Sequence, residues 1–163
     1  MSTVVYDIDG VLVDPSERME AARRAGDFWK AFLDPGLLRL DKPYSGLIER
    51  ANRDIAAGRR VVLLTGRPER LRRATLDELR RFGLNVEGVA ALLMRHDRDR
   101  RPARLVKPEL LEHYLGPGEE PAEVYEDEEE VALEIRRRFP RARVYLVSRG
   151  AVRPLRGLEG WLG

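Results

Sequence analysis

Cysteine is absent from the 163-residue chain, which excludes disulfides and thiolate metal sites. Long apolar runs are missing as well. None approaches the roughly 18 to 20 residues that a membrane helix needs, so no membrane partner is expected. The opening Met1-Ser2-Thr3-Val4-Val5 is too short and too soon followed by acids to be a secretory signal, and the chain reads as cytoplasmic. Lysine is scarce, at Lys30, Lys42 and Lys107 only, while arginine supplies the rest of the 30 basic residues. Arginine stays ionised and grips carboxylates and phosphates bidentately. Its excess fits nucleic-acid affinity, but a biased base composition or a thermophile-like ion-paired surface is the favoured, blander reading. The two histidines, His96 and His113, have no partner pattern and read as ordinary surface or boundary residues.

What is present describes a charged globular protein: 43% apolar and 36% charged residues, with a net charge of only +2. The length suits a single domain over residues 1–163. Val4-Val5-Tyr6 is a short buried strand feeding an acidic loop. Ser16 to Phe32 has near-helical apolar spacing, broken by Pro35-Gly36 and Lys42-Pro43, and Ser45 to Ala57 reads as a second helix stopped by Gly58. Val61 to Leu64 is a second strand ending at Thr65-Gly66-Arg67-Pro68, and the spacing predicts a helix from Pro68 to about Gly83. Val89 to Met94, Ala122 to Tyr125 and Val144 to Val147 are further strands. Pro108 to Leu115 and Glu128 to Arg138 are further helices. This alternation implies an α/β fold with a central parallel sheet and helices on both faces. The stretch from about 14 to 58 exceeds one crossover helix and reads as a small helical insertion roofing the site. Gly150 to Gly163, with Trp161 and Leu162, could cap the domain or dock on another subunit.

In such sheets ligands bind beyond the carboxyl ends of the strands. Three predicted strand ends carry polar groups there: Asp7 and Asp9, Thr65, and Glu126 with Asp127. Carboxylates converging at one rim repel and raise each other's pKa, a conflict that a hard divalent cation resolves. An EF-hand reading of Asp7-Ile8-Asp9-Gly10 fails, because the glycine falls fourth rather than sixth and the twelfth position is Arg18, not Glu. A functionless acidic turn is the bland alternative, and the other strand ends weigh against it. Asp14 suits either the pocket entrance or a helix cap near Pro15-Ser16.

Val4 to Asp14 resembles motif I of the haloacid dehalogenase superfamily, an apolar strand followed by DxDGxhxD. Leu63-Leu64-Thr65-Gly66-Arg67 is similar to motif II, Lys107 to the motif III lysine, and Val124-Tyr125-Glu126-Asp127 to motif IV. The resemblance covers roughly residues 3 to 147 and implies a three-layer Rossmann-like fold and Mg²⁺-dependent phosphatase chemistry. It implies Asp7 as a nucleophile that becomes phosphorylated, and Asp9 as general acid and base whose carbonyl also binds metal. It further implies Thr65 and Gly66 as phosphate binders, Lys107 as a charge neutraliser, Asp7 and Asp127 as Mg²⁺ ligands, and Glu126 just behind the metal. Glu126 departs from the Asp or Gly frequent in relatives. The run Arg95 to Lys107 and the brief insertion resemble the 3′-phosphatase domain of polynucleotide kinase-phosphatases. Arg67, Arg98 and Arg101 are then candidates for substrate contact, with a phosphorylated nucleic-acid end or nucleotide as substrate. A small-metabolite phosphatase and a non-catalytic metal- or nucleic-acid-binding module are the competing readings.

Overall fold

A computed structural model describes residues 1–156. Of the predicted cap from Gly150 to Gly163, residues 157–163, with Trp161 and Leu162, lie outside the described residues. The main sheet has six strands: β1 (Thr3–Tyr6), β4 (Arg60–Pro68), β5 (Ala91–Arg95), β6 (Glu123–Glu126), β7 (Arg143–Ser148) and β8 (Ala151–Pro154). They lie in the order β5-β4-β1-β6-β7-β8, parallel except for β8, which runs antiparallel to β7. The expected parallel α/β sheet is therefore present, with an unforeseen antiparallel edge. Arg149 and Gly150 make that edge possible. Both have positive φ, 49° and 81°, as a two-residue hairpin turn requires.

Strand pleating sorts the core. Val4 and Tyr6 of β1 and Val61 and Leu63 of β4 face one side, packed with Leu47, Ile48, Leu71 and Leu79. Val5, Val62, Leu64 and Val124 face the other, packed with Leu111, Leu115, Val131 and Ile135. Near-continuous apolar runs are what a parallel sheet covered on both faces demands. The covering helices are α3 (Ser45–Ala56) and α4 (Arg72–Arg81) on the first side, and α5 (Ala103–Tyr114) and α6 (Glu129–Arg138) on the second.

Between β1 and β4 the chain forms β2 (Val13–Asp14), α1 (Ser16–Arg24), α2 (Phe28–Phe32) and β3 (Lys42–Pro43), with β2 and β3 paired antiparallel. The single helix expected over Ser16 to Phe32 is two. Ala25 is extended, and the Asp27 side chain accepts from Lys30 N at 3.2 Å, capping a new helix. Two other boundaries moved. β4 runs on through Pro68, so the following helix begins after that proline rather than at it. Helix α5 starts at Ala103 with Pro102 as its N-cap, which puts Pro108 and Lys107 inside it. An interior proline forfeits one helical hydrogen bond, and Pro108 nevertheless sits buried in the packed helix.

Candidate active site

The sheet order sets β1 between β4 and β6, and the crevice of such sheets opens where connections diverge to either side of one strand. Tyr6 pairs with Leu63 on one side and with Tyr125 on the other. Asp7 therefore emerges flanked by the chains leading to Thr65 and Glu126. Its N–H donates to Tyr125 O at 3.0 Å. The chain then turns tightly, with Leu12 N and Val13 N both donating to Ile8 O at 3.0 and 3.1 Å, and it buries Ile8, Val11, Leu12 and Val13 completely.

Gly10 is required in that turn. It has φ +88°, and a Cβ there would lie 2.1 Å from Asp127 Oδ2. Backbone and carboxylate touch where any side chain would intrude.

Oxygens of Asp7, Glu126 and Asp127 lie within 4.8 Å of one another. Lys107 reaches in from the interior of α5, with Nζ 2.9 Å from Asp7 Oδ1 and 2.5 Å from Glu126 Oε1. Ile8 N also donates to Asp7 Oδ1 at 2.8 Å. Glu126 is buried, and it accepts from Lys107 with both oxygens and from Asp127 N. Asp127 is on the exposed side of the cluster. Burial, then the charge of Asp7, raises the pKa of Glu126 well above the ordinary carboxylate range, with Lys107 opposing. Although Asp127 as a residue is exposed, enclosure of its carboxyl end and the Asp7 charge push it upward too. Burial lowers the pKa of Lys107, but Asp7 and Glu126 outweigh this and hold it firmly protonated.

Three carboxylates and one ammonium carry two excess negative charges if all are ionised. A divalent cation would cancel them, and oxygen-only donors suit a hard one. Asp7 and Asp127 are better placed to hold it, because both Glu126 oxygens already accept from Lys107 and one also from the Asp127 amide.

Asp9 points into a second cluster. Arg67 donates to it with Nε at 3.0 Å and Nη2 at 2.8 Å, and Arg18 Nη2 donates to Oδ1. Burial would raise the Asp9 pKa, but Arg67 and then Arg18 overcome this and hold it well below the usual range. Arg67 also donates to Thr75 Oγ1 at 3.0 Å and Glu78 Oε1 at 2.9 Å, and Arg18 to Asp41 Oδ1 and Phe32 O, both at 2.9 Å.

Arg67 was expected to face substrate. It is instead 2% exposed and fully committed to protein partners. Arg18, Asp41 and Glu78 carried no local signal in the sequence. Only Arg67, two residues past the motif II threonine, pointed towards this cluster.

Thr65 is buried, and its Oγ1 accepts from Arg67 N at 3.1 Å. β4 and β5 slip register between Thr65 and Pro68, a bulge of the kind that re-aims side chains beside active sites. Arg95 ties the next loop to this bulge, donating to Gly66 O at 2.9 Å and Asp99 O at 3.0 Å. In that loop Arg101 is held by Asp99 at 2.8 Å and Glu109 at 2.6 Å. Arg98 is exposed and forms no ion pair among the described residues. Asp14 accepts from Ser16 N at 3.0 Å, a cap-like contact at the start of α1.

No described helix is long and apolar enough to cross a membrane. No curated protein matches the chain. Among solved structures, the Pnkp1/Rnl/Hen1 complex matches with TM-score 0.70 and 21% identity over 93% of this chain and 47% of that one. The chain thus spans about half the length of this relative. D,D-heptose 1.7-bisphosphate phosphatase from B. bronchiseptica, complexed with magnesium and phosphate, matches with TM-score 0.55 and 19% identity over 92% and 83% of the two chains. A haloacid dehalogenase-like hydrolase from Streptococcus pneumoniae matches with TM-score 0.59 and 12% identity over 84% and 80%. At such identities these likenesses speak for the fold. Residues 1–150 match the family described as the polynucleotide kinase PNKP phosphatase domain, and the chain belongs to that family.

Proposed function

We propose that the chain is a Mg²⁺-dependent phosphomonoesterase that works through a phosphorylated Asp7 and acts on phosphorylated nucleic-acid ends. The carrying observation is the Asp7 carboxylate, fixed through Oδ1 by Lys107 Nζ and Ile8 N, with Asp127 beside it. Phosphoryl transfer asks mainly for in-line positioning and neutralised equatorial oxygens. Mg²⁺, held by Asp7, Asp127 and the Asp9 carbonyl, would supply that neutralisation together with Lys107.

An Asp7 carboxylate oxygen forms a bond to phosphorus as the bond to the ester oxygen breaks. Thr65 Oγ1 and Gly66 N–H hold the phosphoryl oxygens. The departing oxygen takes a proton from Asp9. Water then attacks the phosphoryl group, giving its proton to Asp9 and releasing inorganic phosphate and free Asp7. With both arginines on it Asp9 is held ionised, which suits the second step. Its acid role requires the carboxyl to turn from the arginines and take up a proton from solvent before it meets the leaving oxygen.

Support for a nucleic-acid end comes from the family and from a matched protein described as part of an RNA repair complex. The protein's own surface adds the exposed Arg98, Arg100 and Arg104, and the exposed Trp29 on the insertion. Aromatic faces stack bases, and arginines track phosphates.

The test compares hydrolysis of a 3′-phosphorylated oligonucleotide, a nucleoside 3′-monophosphate and p-nitrophenyl phosphate, with and without Mg²⁺. Preference for the oligonucleotide supports the reading. Faster turnover of the mononucleotide would favour a small-metabolite phosphatase, and no turnover of any ester would leave a binding module.

A further inference from the structure

Behind Asp9 lies a buried cluster of five charged side chains drawn from distant parts of the chain. Arg18 comes from α1, Arg67 from β4, Glu78 from α4, Asp41 from the insertion just before β3, and Asp9 from the turn after β1. The side chains of Arg18, Asp41 and Glu78 are 0% exposed and that of Arg67 is 1% exposed. Two guanidiniums face three carboxyl groups, so one negative charge is left over if every acid is ionised. Arginine cannot remedy this by changing its own protonation.

A second observation comes from hydrogen bonding. Asp41 Oδ2 and Glu78 Oε2 are buried, and neither has a hydrogen-bond partner among the described residues. Both carboxyls meet over one nitrogen: Arg67 Nη2 is 2.9 Å from Glu78 Oε1 and 3.5 Å from Asp41 Oδ2. Buried polar atoms without partners are rare in native proteins. A single proton removes both orphans at once, because the protonated oxygen donates and the other accepts.

We propose that Asp41 and Glu78 share one buried proton between Asp41 Oδ2 and Glu78 Oε2, and that this neutralised pair positions Arg18 and Arg67 on Asp9. The proton resides on Glu78, because Asp41 faces two guanidiniums, Arg18 Nε at 2.9 Å and Arg67 Nη2 at 3.5 Å, whereas Glu78 faces Arg67 alone. Burial and then the Asp41 neighbour raise the Glu78 carboxyl above its ordinary range, against the pull of Arg67. The groups facing the pair are Arg18, Arg67 and, through them, Asp9; Thr75 is the neutral partner on Arg67. Arg39, Asp77 and Arg81 line a cleft of about 370 Å³ that Asp41 also lines. Loss of the proton adds a negative charge beside Arg67 that competes with Asp9 for its donors. Asp41 and Glu78 are positioning residues, and they couple the insertion to the catalytic acid–base.

The kinetic part of the test rests on the phosphatase reading; the spectroscopic part does not. In Glu78→Gln the amide NH₂ imitates the acid O–H towards Asp41, while its oxygen still accepts from Arg67. Asp41→Asn imitates the pair from the other side. Each single variant should retain kcat on p-nitrophenyl phosphate near pH 7, with the wild-type alkaline fall flattened in Glu78→Gln. Glu78→Ala should lose about 10²-fold, as expected when a catalytic group is misplaced by about 1 Å. The double variant Asp41→Asn/Glu78→Gln should lose more than the two single effects multiplied, because it leaves an uncompensated positive charge. Infrared difference spectroscopy of the folded wild type at pH 7 should carry a protonated-carboxyl carbonyl band that Glu78→Gln lacks. Glu78→Gln as damaged as Glu78→Ala, or no such band, would overturn the shared proton whether or not any ester is turned over.

Discussion

The contact between Gly10 and Asp127 gives a prediction whose magnitude follows from geometry. In Gly10→Ala the new Cβ would lie 2.1 Å from Asp127 Oδ2, 2.4 Å from Cγ and 2.8 Å from Cβ. Unstrained contacts between carbon and a neighbouring heavy atom lie at roughly 3.5 Å, so the Asp127 carboxylate must withdraw by about 1 Å or more. The backbone adds its own penalty, since φ is +88° and a left-handed non-glycine residue costs roughly 1–2 kcal/mol. Withdrawal of a metal-corner carboxylate by about 1 Å should cost about 10²-fold in kcat and raise the Mg²⁺ concentration for half-maximal activity. Thermal unfolding should fall by roughly 2–8 °C from the backbone term alone.

The control is Gly58→Ala, where φ is +79° and nothing lies within 4 Å of the added Cβ. It should lose comparable stability with unchanged kcat and Mg²⁺ dependence. The assay is initial-rate p-nitrophenyl phosphate hydrolysis over a Mg²⁺ titration, with melting curves for both variants. A Gly10→Ala enzyme that matches Gly58→Ala in kcat and Mg²⁺ response would refute the placement of Asp127 at the metal.

Other outcomes follow from the same geometry. Mg²⁺ at 100 times its dissociation constant should stabilise the fold by about 2.7 kcal/mol, read as a rise in melting temperature that Asp127→Asn abolishes. Stability should fall as pH rises from Glu's usual value near 4.3 to about 8, the value towards which burial and Asp41 push Glu78. The sign follows because over that window the folded chain keeps a proton the unfolded chain has released. Glu78 contributes at most about 1.4 kcal/mol per pH unit to that slope, and Glu78→Gln should remove this share in urea titrations at several pH values. Arg98→Ala should lower the salt dependence of oligonucleotide turnover by about one in log–log slope and spare p-nitrophenyl phosphate. Arg101→Ala should act differently, loosening the loop that Asp99 and Glu109 anchor, which proteolysis of the 96–102 segment would read.

The acidic rim was legible because its signals are local. An apolar strand, an acid at its end and a glycine that permits a tight turn lie within seven residues from Val4 to Gly10, and the motif IV acids end their strand in the same way. The sheet was legible for a related reason: strands buried on both faces leave apolar runs that survive without any neighbour.

What stayed hidden depends on partners far along the chain. Arg18 meets Asp41 across 23 residues and Arg67 meets Asp9 across 58. Charged residues in a hydropathy profile do not reveal which of them will be buried together. Arg67 therefore read as a surface arginine open to substrate. The helix expected over Pro108 to Leu115 begins at Ala103 instead, because Pro102 caps α5 and tertiary packing carries the helix through Pro108. The edge strand β8 is short and largely exposed, so it lacks the apolar pattern that exposes a central strand. β2 and β3 are two residues each, shorter than any periodicity can register.

The most direct measurement is acid quenching of the Mg²⁺-loaded protein during turnover of a phosphate ester, followed by mass mapping of the modified peptide. One phosphoryl group on Asp7, labile to hydroxylamine and absent from Asp7→Asn, is the predicted result. Turnover that persists in Asp7→Asn, or a phosphoryl group mapped to any other residue, would contradict the account.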